Sequence, residues 1–240
     1  MDLTEVTTIV LFVITLSSLL VRLIPKPPSY PPLIVCHLGA LAILALAQSW
    51  IFEPLDRALG GYSLTNLISH LCMVFVLWTL TTLISGPLLD DGEDPRVLRQ
   101  VVLVIALVGV MASFVALRPG GTSRGLDAYD DELPYIAYQM FSMLPLWLPA
   151  FWLVPRMLHA LRSAAFHRLQ ATYVAFVVAY TASVLCLISY AATAVAGWLE
   201  PLRELLVLLT GGGGMIGFIM VPLVAARGAR GGSVTRGTGA

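Results

Sequence analysis

Charge is what this chain has least of. Only 12% of its 240 residues are Asp, Glu, Lys or Arg, and 58% are hydrophobic, where soluble domains average about 25% charged and about 45–50% apolar. A water-soluble domain of this size cannot cover so much apolar side chain with so few charges. Lipid removes the need, because it replaces water around the apolar surface. The few charges also cancel, 14 basic against 14 acidic, so no basic field exists to attract nucleic acid, and a nucleic-acid partner is excluded. Cysteine is scarce as well. Cys36, Cys72 and Cys186 all fall in apolar stretches, without a CxxC, which argues against a disulfide framework or a zinc ribbon and leaves small buried hydrophobes. The four histidines are His37, His70, His159 and His167. They form neither HExxH nor HxxxH, and no Asp lies within an apolar span, so an intramembrane zinc hydrolase lacks its ligands. No cofactor, metal site or enzymatic activity is expected.

What remains is apolar sequence in lengths that suit a bilayer, which needs roughly 17–25 residues per helix. Seven such segments are present: Val6–Ile24, Pro32–Ile51, Leu64–Ile84, Leu98–Leu117, Tyr135–Val154, Leu169–Trp198 and Leu202–Leu223. The sixth is too long for one crossing, so its helix should end inside those limits. Breakers and charges separate the segments, among them Pro25-Lys26-Pro27-Pro28, Asp90–Arg99 and Pro119-Gly120-Gly121. The N-terminal flank holds Asp2 and Glu5 with no basic residue, the opposite of a signal-peptide n-region.

Orientation follows from the basic residues of alternate loops. One side receives Arg22, Lys26, Arg96, Arg99, Arg156, Arg162, Arg168, Arg227, Arg230 and Arg236; the other receives Arg57, Arg118, Arg124 and Arg203. The richer side is cytoplasmic. The expected fold is therefore an all-α polytopic membrane helix bundle of seven transmembrane helices over residues 1–224, with the N-terminus outside. A disordered Gly- and Arg-rich cytoplasmic tail over residues 225–240 follows. The expected location is a bacterial plasma membrane, crossed several times.

Polar groups inside a bilayer are costly and mark either interhelical hydrogen bonds or a functional site. Asn66 and His70 are four apart and share one face of the third segment, with Ser63 one turn earlier. His37 in the second segment could meet the same face. The four residues Ser63, Asn66, His70 and His37 are the candidate solute-binding or proton-binding set, with helix-to-helix bonding as the alternative. Gln48 and Gln139 are the other amides near spans. The run Gly211-Gly212-Gly213-Gly214, followed by Gly217, has two readings. It is either a close-packing seam with GxxxG spacing, or a flexible helix break that exposes backbone to a solute. No Gly-Lys-Ser/Thr follows it, so it is not a Walker-type phosphate loop. Pro145, Pro149 and Pro155 should kink the fifth segment. The acidic outer residues Asp127, Asp130, Asp131 and Glu132 read as a solvated rim, or as a funnel for a cation.

Seven spans invite comparison with retinal pigments, but the one lysine, Lys26, lies in a cytoplasmic loop and leaves a Schiff base without a partner. No repeat relates the first three segments to the last three, which removes the analogy to three-plus-one-plus-three sugar transporters. The stretch Gly60-Gly61-Tyr62-Ser63-Leu64-Thr65-Asn66-Leu67-Ile68-Ser69-His70, with Asp56 closing the second segment and the Arg-rich loop before the sixth, resembles the start of the third helix in a multi-span family of high-GC Gram-positive bacteria and their phages. Members carry a transporter label. The thirteen-to-one preference for Arg over Lys suits a high-GC genome. The resemblance is to a short form, without the cytoplasmic domain that follows the bundle in longer members, and it implies transport of an unidentified solute. The alternative is a non-enzymatic sensor, immunity or scaffold module acting through a protein partner. Expected partners are the lipid bilayer, a small solute or cation, and a further copy of the chain or another protein.

Overall fold

In the computed structural model, residues 3–23, 31–89, 95–122, 126–129, 132–162, 170–193 and 197–231 are described. They form helices and connecting turns, without strands. The helices are α1 (Leu3–Leu23), α2 (Pro31–Leu46), α3 (Ser49–Ala58), α4 (Leu64–Ser85), α5 (Arg96–Leu117), α6 (Leu133–Ser142), α7 (Leu144–Arg162), α8 (Gln170–Thr193) and α9 (Glu200–Gly231). Three stretches, Leu64–Leu88, Arg96–Leu117 and Gln170–Tyr190, are long and apolar enough to cross a membrane, and the number rises to five if each of two bent pairs counts as one span. The chain divides into two compact units, Met1–Leu148 and Pro149–Ala240.

Helix α5 shows why lipid is the solvent. Val97, Val101, Val104, Val108, Met111 and Val115 recur at intervals of three and four and are all exposed. The opposite face, with Val102, Ala106, Val110 and Phe114, is buried. An amphipathic helix in water exposes its polar side; here both sides are apolar and the exposed one is a continuous stripe. Such a stripe needs a bilayer to cover it. On the buried face Gly109 meets the Phe141 ring of α6 where a side chain would stand, so the two helices approach closely.

The first unit packs α1 on α2, α2 on α4, α4 on α5, and α5 on α6. The second expected segment, Pro32–Ile51, does not run straight. Helix α2 ends at Leu46, and α3 leaves it at 88°. The cause is readable in the backbone. The Gln48 N–H turns to Ala45 O at 3.0 Å, which strips Leu44 O of its helical donor, and the Gln48 side chain reaches back to that carbonyl at 3.5 Å. The residues beyond include Glu53, Pro54, Asp56 and Arg57, too polar to continue into hydrocarbon.

The fifth expected segment is also two helices, with α6 and α7 meeting at 55°. Pro145 has no N–H to give Phe141 O, and its ring would crowd that carbonyl. The helix therefore stops at Ser142 and restarts at Leu144. The Trp147 indole N–H caps Met140 O across the break at 3.0 Å. Pro149 then removes the donor that Pro145 O would receive inside α7. The Thr81 hydroxyl of α4 replaces it at 2.8 Å, so a defect in one helix becomes a bond between two.

In the second unit α8 packs along α9. The break considered at Gly211–Gly214 is not seen, since α9 is helical from Glu200 to Gly231. Gly213 lies against α8, where an added Cβ would stand 3.1 Å from Ala175 O, and at Gly217 one would stand 2.8 Å from the Phe176 ring. Gly211, Gly212 and Gly214 have open space instead. Close approach by the i, i+4 pair offsets the roughly 1 kcal/mol that each glycine costs a helix. Gly217→Val should therefore destabilise this unit by about 1–3 kcal/mol through overpacking, while Gly212→Ala should leave it unchanged or slightly more stable. Unfolding of the two variants in mixed micelles checks the contrast. Helix α8 ends at Thr193, inside the long sixth segment as expected. Helix α9 passes the expected tail boundary at residue 224, so part of the expected disordered tail is helical. Residues 232–240, like Lys26, Asp130, Asp131, His167 and Arg168, lie outside the described residues.

Candidate functional site

The start of α4 is built by a carboxylate from another helix. Gly60 and Gly61 take φ of 106° and 71°, and Ser63 is left-handed at φ 56°. This turn folds the chain back over the end of α3. Asp56, fully buried, then accepts the Ser63 N–H on Oδ2 and the Thr65 N–H on Oδ1, each at 3.1 Å. Two donors at the helix start, which have no partner within the helix, are thereby satisfied, and the negative charge sits on the positive end of the α4 dipole. The Ser63 hydroxyl donates to Gly121 O at 2.9 Å and ties the turn to the loop after α5. Ser63 thus holds the backbone in place.

One and two turns into α4 come Asn66 and His70. Asn66 is buried, and its carbonyl faces His70 Nδ1 at 2.9 Å. A carbonyl only accepts, so Nδ1 carries the proton and Nε2 of the neutral ring presents a lone pair. The Gln139 side chain of α6 lies close enough to interact with the same imidazole. The amide can offer its N–H₂ to the neutral ring or its oxygen to a charged one, so it fits either state. Beside it the Tyr138 ring stacks on His70, with centroids 4.4 Å apart and planes tilted by 45°. Phe114 backs Tyr138 at 6.0 Å. Tyr138 is completely buried, yet its hydroxyl has no hydrogen-bond partner among the described residues. Leaving a buried hydroxyl unpaired is costly, about 1–3 kcal/mol in proteins, which makes this group the least structural member of the cluster.

His37 has a different setting. Its Nδ1–H donates to Leu33 O at 2.7 Å, and Nε2 accepts the Ser18 hydroxyl of α1 at 3.1 Å. The Ser18 bond holds α2 against α1, while the Leu33 bond lies within α2. The sequence pattern brought Asn66 and His70 together correctly on one helix face, but Tyr138 and Gln139 were not joined to them. Nothing local signals that α6 meets α4 at His70. Among the described residues, no group of three or more His, Cys, Asp or Glu side chains could hold a metal ion. No protein-family model matches the chain, and neither a curated protein nor a solved structure matches it.

Proposed function

We propose that the chain is a seven-span plasma-membrane transporter, N-terminus outside and C-terminus cytoplasmic, that binds its solute where α4 meets α6. The observation that carries this reading is the His70–Gln139–Tyr138 cluster, a polar constellation whose Tyr138 hydroxyl is buried and without a hydrogen-bond partner among the described residues. With the orientation given by the basic loops, α4 and α6 both start at the outer face. His70 is six residues beyond Leu64, roughly 9 Å along its helix, and Tyr138 is five beyond Leu133, roughly 7.5 Å. The matching depths support a cluster in the outer part of the bilayer, within reach of the external solution. Helix α3, bent 88° from α2 and bearing exposed Trp50 with an exposed Glu53–Arg57 pair, lies in the outer interface. The break between α6 and α7 begins four residues after Gln139, which supplies the kind of discontinuity on which transporters hinge their binding sites. The likeness of Gly60–His70 to a transporter-labelled family points the same way.

The test is thermal stability of the purified protein across a panel of solutes and ions. A ligand of the native state stabilises by about 2.7 kcal/mol at a hundredfold excess over its dissociation constant. At least one compound should raise the melting temperature of the wild type and leave His70→Ala unmoved. Equal shifts in both, or silence across the panel, contradicts a solute site at His70.

A further inference from the structure

The geometry points to a small uncharged, hydrogen-bonding solute as the ligand of the α4–α6 site, with the Tyr138 hydroxyl as the group that selects it. This inference rests on the transport reading above. The groups that build the site are an imidazole, a carboxamide and a phenol, on His70, Gln139 and Tyr138, and none carries a fixed charge. Asp56, the carboxylate at the start of α4, is fully buried and already committed to the Ser63 and Thr65 N–H groups. A charged solute moved out of water needs an opposite charge and several hydrogen bonds to offset its lost hydration. An amide, a urea or a polyol needs only donors and acceptors, and this site is made of them.

Tyr138 is the group with capacity to spare. His70 spends Nδ1–H on Asn66 O, and its ring also interacts with the Gln139 side chain. The Tyr138 hydroxyl can donate one bond and accept another, and it has no partner among the described residues although the whole side chain is buried. Its ring packs against the His70 imidazole and the Phe114 ring. A fixed phenol of this kind discriminates by hydrogen bonding, because a solute lacking a matching oxygen or nitrogen leaves it unpaired. Tyr135, one turn earlier on α6, is likewise buried, and so enclosed a place suits a small solute.

Uptake into proteoliposomes decides the matter, with labelled urea, acetamide and glycerol as uncharged probes and choline and gluconate as charged ones. Wild-type protein should speed entry of at least one uncharged probe, and Tyr138→Phe should slow it roughly tenfold, the loss expected from one buried hydrogen bond. The melting temperature of Tyr138→Phe without solute should be unchanged or higher, since the variant removes only an unpaired hydroxyl. A lower melting temperature would show that the hydroxyl serves the fold, and the inference would fail. It fails too if uncharged uptake is indifferent to Tyr138→Phe. Uptake of choline or gluconate that depends on His70 would overturn the solute class and leave the transport reading standing. No uptake of any probe, together with no stabilising ligand, would overturn both.

Discussion

Asp56→Ala should destabilise the Met1–Leu148 unit by about 3 kcal/mol, a large effect for an acidic residue in a chain whose stability comes from apolar packing. Hydrogen bonds to a charged group contribute about 1.5–3 kcal/mol each, and Asp56 accepts two, from Ser63 and Thr65. Alanine leaves both N–H groups unpaired at a buried helix start and removes the charge opposite the α4 dipole. Asp56→Asn keeps one acceptor oxygen and should lose about half as much. Unfolding in mixed micelles of increasing denaturing detergent measures the two variants. The consequence extends beyond stability, because the turn that Asp56 fixes places Asn66 and His70. A frayed first turn of α4 should weaken ligand stabilisation in Asp56→Ala even at temperatures where the protein remains folded. If Asp56→Ala and Asp56→Asn are both as stable as the wild type, the carboxylate is not the cap of α4.

The second large effect joins Thr81 to Pro149. Thr81→Val conserves shape but deletes the hydroxyl, and Pro145 O, which Pro149 has already deprived of its helical donor, is left buried without one. The expected cost is about 1–3 kcal/mol. Pro149→Ala supplies an N–H at the position that can bond Pro145 O within α7. In that background Thr81→Val should cost much less, so the double-mutant cycle should show a coupling of about 1–2 kcal/mol. Additive losses would mean that Thr81 and the proline defect are energetically separate. Thr81→Ser, which keeps the hydroxyl, should stay close to the wild type in either background.

These two bonds also show what the amino-acid sequence could and could not reveal. Helical segments were legible because apolar length is a property of the chain alone: Leu64–Ile84 and Leu98–Leu117 correspond closely to α4 and α5. The breaks were harder. Pro145 announced a kink, but whether a proline bends a helix or divides it depends on what satisfies the freed carbonyls, here Trp147 and Thr81. Gln48 carried no breaker signature at all; α2 ends just before it, at Leu46, and the chain beyond becomes charged and turns along a new direction. The glycines of α9 had two readings that only a neighbouring helix could separate, and Ala175, Ala179 and Phe176 of α8 supply that neighbour at Gly213 and Gly217. At the site, Asn66 and His70 were visible because helical spacing stacks residues four apart. Tyr138 and Gln139 were not, because contact between α4 and α6 is tertiary. The Gly60–His70 stretch that carried the family resemblance is, in physical terms, mostly the device that starts α4. Gly60 and Gly61 supply positive φ, and Ser63 and Thr65 supply N–H groups to Asp56.

The most direct test of a solute site open to the outer solution is chemical access to position 70. Cys36, Cys72 and Cys186 are replaced by Ala, His70 by Cys, and intact cells are treated with a membrane-impermeant maleimide. Labelling from outside, at a rate above that of a lipid-facing control such as Val108→Cys, is the expected result. Labelling confined to inside-out vesicles, or none from either side, would contradict the account.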